Sequence, residues 1–299
     1  MRTRNEEASL ESQDLDQEDC PPIFPGFLTC SVRVWQPKPR RIIRNCRERD
    51  IVMFTVEERD RVRNRLVQMS RADPRLVAGA LVGSTAGGQG DRWSDLDLTF
   101  GLADGAAVDD VLADWTDRLA DEFQAVHIFD LPHLSTIYRV FLLPNNLQVD
   151  LSFTPGNKFL AKGLKYDLLF GNALERDPAK PASAEQTFGL AVVYLLHAHA
   201  CIARGRTWEA EYCISAARDQ ALMLACLHRS LKTSYGRGFD DLPREILQPV
   251  TGALVGSLEK TKLIQALGRS VEVLLQNSQD VSGLAGRLGP QLRELKSYQ

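Results

Sequence analysis

The stretch Gly83-Ser84-Thr85-Ala86-Gly87-Gly88-Gln89-Gly90-Asp91-Arg92-Trp93-Ser94-Asp95-Leu96-Asp97-Leu98 concentrates the chemistry of this chain. In an extended strand successive side chains alternate faces, so Asp95, Asp97 and Thr99 share one face while Leu96, Leu98 and Phe100 share the other. Two carboxylates side by side repel unless a cation lies between them or one takes up a proton. Mg2+ suits such a pair, because it takes one or two carboxylates and fills its shell with water and substrate phosphates. Upstream, Gly83-Ser84 closes a strand, and the glycine-rich turn after it lets backbone N–H groups come close to an anion. That combination reads as a phosphate cradle. A third acid, Asp150, lies in Leu147-Gln148-Val149-Asp150-Leu151-Ser152-Phe153, on the face opposite the apolar side chains. Three acids on neighbouring strands suffice for two metal ions, which activate an attacking oxygen and steady the leaving group of an in-line displacement.

These residues need rigid elements to hold them. Thr55-Val56-Glu57-Glu58 has the form of a capping box, and Val62, Leu66 and Met69 follow at helical spacing until Asp73-Pro74. A buried strand is expected over 76–84 and a second over 95–102, followed by an amphipathic helix marked by Val108, Val111, Leu112, Trp115 and Leu119. Further strands are expected over 123–131, over 136–143 between Pro132 and Pro144, and over 147–153. Beyond Lys158 the pattern turns helical: 188–204 closed by Gly205, 207–232, a helix opened by Pro243, then 258–277 and 280–296. The expected fold class is α+β, a small mixed β-sheet domain with flanking helices over 53–157, followed by an α-helical bundle over 158–299. Residues 1–52, acidic at first and arginine-rich after Arg33, read as a poorly ordered leader or a non-native extension, with Met53 as a start.

Composition excludes the extreme classes. At 299 residues, 44% hydrophobic and 25% charged, the chain is that of a globular protein of one or two domains. The net charge of −3 supplies no global basic field, which argues against a duplex-binding channel and a template nucleic acid. The apolar run 188–203 is shorter than a membrane span of roughly 18 residues and carries His197 and His199, so it reads as a buried helix. Six cysteines show no close pair and no zinc-ligand spacing, and His197 and His199 face different directions on a helix. With no secretory signal at the N-terminus, a reducing, cytoplasmic location is expected.

The arrangement of Gly83-Ser84, ten intervening residues, then Asp95-Leu96-Asp97, with Asp150 on a later strand, resembles the DNA polymerase β-like nucleotidyltransferase superfamily. Within it the domain order is similar to that of the aminoglycoside and lincosamide nucleotidyltransferases, which join a small catalytic domain to a helical one. The resemblance implies that Gly83, Ser84 and the turn through Thr85 bind the nucleotide triphosphate, with Ser94, Asp95 and Asp97 beside it, and that the acids hold Mg2+. Thr85 stands where many members carry arginine. Asp150 is implied as a ligand of a second metal or as general base, two roles the residues do not separate. The implied reaction moves AMP from ATP to a hydroxyl of a small-molecule acceptor and releases pyrophosphate. Some members build their site between two subunits, so a homodimer is compatible with the resemblance.

Acceptor choice is expected in the helical half. There Trp208, Glu209, Glu211 and Tyr212 open a helix, offering an aromatic surface and acids suited to a cationic acceptor such as an aminoglycoside. The plain alternative is a capped helix with core aromatics and surface charges. Two other functions compete: a protein AMP-transferase of the toxin-neutralising type, disfavoured by the long helical half, and a non-catalytic nucleotide-binding regulator, disfavoured by retention of all three acids.

Overall fold

A computed structural model describes residues 53–88, 90–160, 166–175 and 182–296. The expectation of a leader over 1–52 lies outside the described residues. The chain divides into two compact units, one up to residue 179 and one from 180 onward.

The first unit is built on a six-stranded mixed sheet. Its strands are β1 (Leu76–Val82), β2 (Leu96–Leu102), β3 (Val126–His133), β4 (Thr136–Leu142), β5 (Gln148–Pro155) and β6 (Tyr166–Phe170), in the spatial order β3-β4-β5-β2-β1-β6. Strands β2 and β5 run parallel and the other pairs antiparallel. Helices α1 (Val56–Ala72) and α2 (Val108–Phe123) close one face. Val62 and Leu66 from α1, with Leu112 and Trp115 from α2, pack there against Leu98, Phe100, Leu151 and Phe153. Trp115 sits among Phe100 and Phe153 with ring centroids 5.2 and 5.9 Å away. Apolar alternation on β2 and β5 thus turns every second residue into this core and every other one, acids included, to the opposite face.

The capping box at Thr55 forms as expected, Glu58 N–H donating to Thr55 Oγ1 at 3.2 Å and Thr55 N–H to Glu58 Oε2 at 2.8 Å. Some details differ from the sequence expectation: α2 runs through Phe123, so β3 begins at Val126 and not at 123. Pro132 lies inside β3 instead of ending it, which an edge strand tolerates because its outer side needs no ladder donor. Strand β6 extends the sheet past the expected boundary at 157. Its five residues are too few for a period of two to be told from a helical turn, and the open edge of β1 makes them a strand.

One buried polar node ties the end of α1 to α2. Asp73 is 3% exposed; its carboxylate accepts from Arg75 Nε and Nη2 at 2.8 and 2.7 Å and from the Trp115 indole N–H at 3.0 Å. Hydrogen bonds from Arg75 first, then the indole, outweigh burial and hold its pKa at about 2, below the ordinary 3.8. A folded pKa below the unfolded one stabilises the fold above pH 4 and is lost as pH falls from about 4 to about 2. Asp73→Asn is therefore expected to cost about 2 kcal/mol at neutral pH. In urea titrations its difference from the wild type should shrink as pH falls through that window.

The second unit is a helical bundle of α3 (Ala184–Ala203), α4 (Thr207–His228), α5 (Arg244–Val250), α6 (Lys260–Gln276) and α7 (Ser282–Glu294). Its core includes Phe188, Leu195, Ile214, Leu224, Leu267 and Leu274. At 20 residues α3 is longer than the apolar run suggested, because Ser183 caps it, its Oγ accepting from Gln186 N–H at 3.3 Å. It is the one helix among the described residues long and apolar enough to cross a membrane, yet Phe188, Ala191 and Leu195 are buried in this unit's own core. Cys201, Cys213 and Cys226 are free, buried thiols.

Candidate functional site

Register brings the three acids together. Asp97 and Asp150 are direct partners on parallel strands β2 and β5, and Asp95 precedes β2 on the same face. One carboxylate oxygen from each of Asp95, Asp97 and Asp150 lies within 4.8 Å of the others, all three side chains half-buried. Hard oxygen donors in this number suit Mg2+. Next to Asp97 on β1 is Val82, so the chain leaves that strand directly against the acids. Gly83 turns there with φ +73°, and a Cβ on it would meet Asp97 Oδ2 at 2.0 Å. Only glycine combines that backbone with that approach.

The two hydroxyls after Gly83 are the second observation. Ser84 Oγ and Thr85 Oγ1 are buried and have no hydrogen-bond partner among the described residues. Buried hydroxyls are ordinarily paired, so the open Ser84 hydroxyl, on a residue that lines the same cleft as Asp95, fits a polar ligand that supplies acceptors, such as a phosphate. A cleft of about 450 Å3 opens here, within the usual range for small-molecule sites, lined by Phe54, Ser84, Trp93, Ser94, Asp95 and Gln148 among others.

The electrostatics are uneven. Burial pushes the Asp150 carboxyl above the usual carboxylate range, the charge of Asp95 adds to this, and hydrogen bonds from Gln148 Nε2 at 3.0 and 3.1 Å oppose it. Asp91 is held below the ordinary range, first by the Trp93 N–H and then by the Ser94 hydroxyl. Ser94 also accepts from Asp91 N–H at 3.0 Å, so its hydroxyl closes the loop before β2. Arg59, 4% exposed on α1, pins the same loop by donating to the carbonyls of Asp91 and Ser94. On the other side of the turn Asp167 Oδ2 accepts from Gly87 N–H at 2.6 Å, so one amide of the expected cradle already holds a carboxylate. Arg92 stacks its guanidinium 4.3 Å from the centre of the exposed Trp93 ring.

Gln148, Arg59 and Asp167 escaped the sequence reading. Gln148 was accessible, since it lies two residues before Asp150 on the same face. Arg59 sits on a helix face that otherwise reads as ordinary, and Asp167 belongs to the short strand that carried no signal.

The residues expected to hold the acceptor lie in the helical unit. Trp208 is 75% exposed at the start of α4, and Tyr212 meets Tyr194 edge-on at 6.3 Å. Glu209 is paired with Arg206 at 2.6 Å, and Glu211 accepts from Ser215 Oγ at 2.8 Å.

No protein family matches the sequence, and no curated protein matches it. Among solved structures the chain is similar to the crystal structure of an aminoglycoside 6-adenyltransferase from Bacillus subtilis. The TM-score is 0.33 and the identity 13%, with 81% of this chain and 98% of that chain covered.

Proposed function

We propose that this protein is a Mg2+-dependent nucleotidyltransferase that moves AMP from ATP to a hydroxyl of a small-molecule acceptor in the cytoplasm. The observation that carries the reading is the convergence of Asp95, Asp97 and Asp150 beside a glycine turn whose two buried hydroxyls are unpartnered. In the transfer the acceptor oxygen bonds to the α-phosphorus, the bond from that phosphorus to the β-bridging oxygen breaks, and pyrophosphate leaves. Bound Mg2+ supplies charge neutralisation on the phosphates. Asp95 and Asp97 hold the metal, and Ser84 and Thr85 donate to phosphate oxygens. Asp150, its oxygens oriented by Gln148, serves as the general base that takes the acceptor's hydroxyl proton. Trp208, Glu209, Glu211 and Tyr212 contribute to acceptor choice, and an aminoglycoside or a lincosamide antibiotic is the acceptor class to test first.

The test is pyrophosphate release from Mg2+-ATP across a panel of aminoglycosides and lincosamides, beside Asp95→Ala. Release that depends on an acceptor and falls about 1,000-fold in the variant is expected. Release equal in wild type and variant would remove the role of the acids. ATP binding without release for any panel member would remove these antibiotics as acceptors.

A further inference from the structure

The cleft beside the acids also holds a tryptophan. Ser84, with its open hydroxyl, and Asp95, from the acid set, line the same space of about 450 Å3 as Trp93 and Met53. Trp93 is 65% exposed and Met53 38% exposed, so apolar surface in the cleft is open to solvent. Arg92 lies 4.3 Å from the centre of the Trp93 ring, yet it is not among the residues that line the cleft. The guanidinium therefore backs the ring on its outer side and leaves the cleft side open. The loop that carries the ring is held from within the protein: the Trp93 N–H donates to Asp91 Oδ1 at 2.8 Å, and Arg59 donates to the carbonyls of Asp91 and Ser94 on either side. Several polar side chains of the cleft have partners of their own. Asp91 and Ser94 bond to each other, Gln148 donates to Asp150, and Asn146 donates to the Met53 sulfur at 3.7 Å.

We propose that the Trp93 ring is the platform on which the nucleobase stacks, so that the cleft takes a nucleoside triphosphate with its phosphates toward Ser84 and Asp95 and its base on Trp93. The inference rests on the proposed nucleotidyl transfer and adds to it the recognition of the nucleoside. Phosphates that meet Ser84 and a metal at Asp95 leave the rest of the same molecule in the remainder of that cleft, where Trp93 offers an open aromatic face. A planar heteroaromatic ring matches such a face, and a platform already fixed by Arg59 and Asp91 loses little freedom when it is covered. Every base has a π-face, so stacking reads ring area more than base edges. Purine nucleotides are accordingly favoured over pyrimidine nucleotides.

The test is calorimetric titration of the full chain in Mg2+ with α,β-methylene-ATP, α,β-methylene-CTP and inorganic tripolyphosphate, on the wild type, Trp93→Ala and Trp93→Phe. The wild type should bind the ATP analogue at least about tenfold more tightly than tripolyphosphate, with the CTP analogue between them. Trp93→Ala should lose that gain while binding tripolyphosphate within about twofold of the wild type, and Trp93→Phe should keep most of it. Equal affinities for the ATP analogue and tripolyphosphate in the wild type, or an undiminished gain in Trp93→Ala, overturn the inference and leave the nucleotidyl-transfer reading standing. A parallel loss of nucleotide and tripolyphosphate binding in both variants also overturns it, because the ring would then be a structural part of the loop. Failure of the wild type to bind any of these ligands removes the nucleotidyl-transfer reading, and the inference with it.

Discussion

Asp97→Asn is expected to lower acceptor-dependent pyrophosphate release by about 1,000-fold while leaving the protein folded. Asp97 is the centre of the acid set: its strand partner is Asp150, its neighbour across β1 is Val82, and the Gly83 turn closes against its carboxylate. Asparagine keeps the shape and removes the charge, so the loss falls on the metal and the phosphates it carries and not on packing. Steady-state kinetics beside thermal melts in a chelator measure the activity and the fold. An inactive variant that also melts well below the wild type would point to a structural role for Asp97.

Gly83→Ala is expected to cost about 100-fold in the same activity and to lower stability by roughly 2 kcal/mol. Two costs combine there. A side chain at φ +73° is strained whatever space it has, and its Cβ would lie 2.0 Å from Asp97 Oδ2, so the carboxylate or the turn must move. Gly87 separates the two costs. It has φ +70° but nothing within 4 Å of a Cβ, so Gly87→Ala should pay only the backbone strain, about 1 kcal/mol, and keep activity within a few-fold. Equal activity losses in the two variants would mean that the turn's flexibility, and not its approach to Asp97, is what matters.

The legibility of this site in the sequence followed from period and register. Alternation alone put Asp95 and Asp97 on one face and Asp150 on the outward face of its strand, and β2 and β5 then proved to be neighbours. The capping box at Thr55 and the helices of the second half are equally local signals, carried by a few adjacent side chains. What escaped depended on long-range partners. Asp167 reaches Gly87 across 80 positions, and Arg59 reaches Ser94 across 35. Ser94 reads in isolation as a candidate ligand group, but its hydroxyl is committed to Asp91. Phe129, Leu131 and Leu142 look like core residues in the sequence, yet they are exposed on the outermost two strands of the sheet.

The most direct test of the central claim is a Mn2+ titration followed by electron paramagnetic resonance, with and without α,β-methylene-ATP, on the wild type and Asp97→Asn. The account predicts bound Mn2+ in the wild type that tightens with the nucleotide and is lost, together with that coupling, in the variant. Mn2+ binding that is identical in both proteins, or indifferent to the nucleotide, would contradict the assignment of these acids to a metal–nucleotide site.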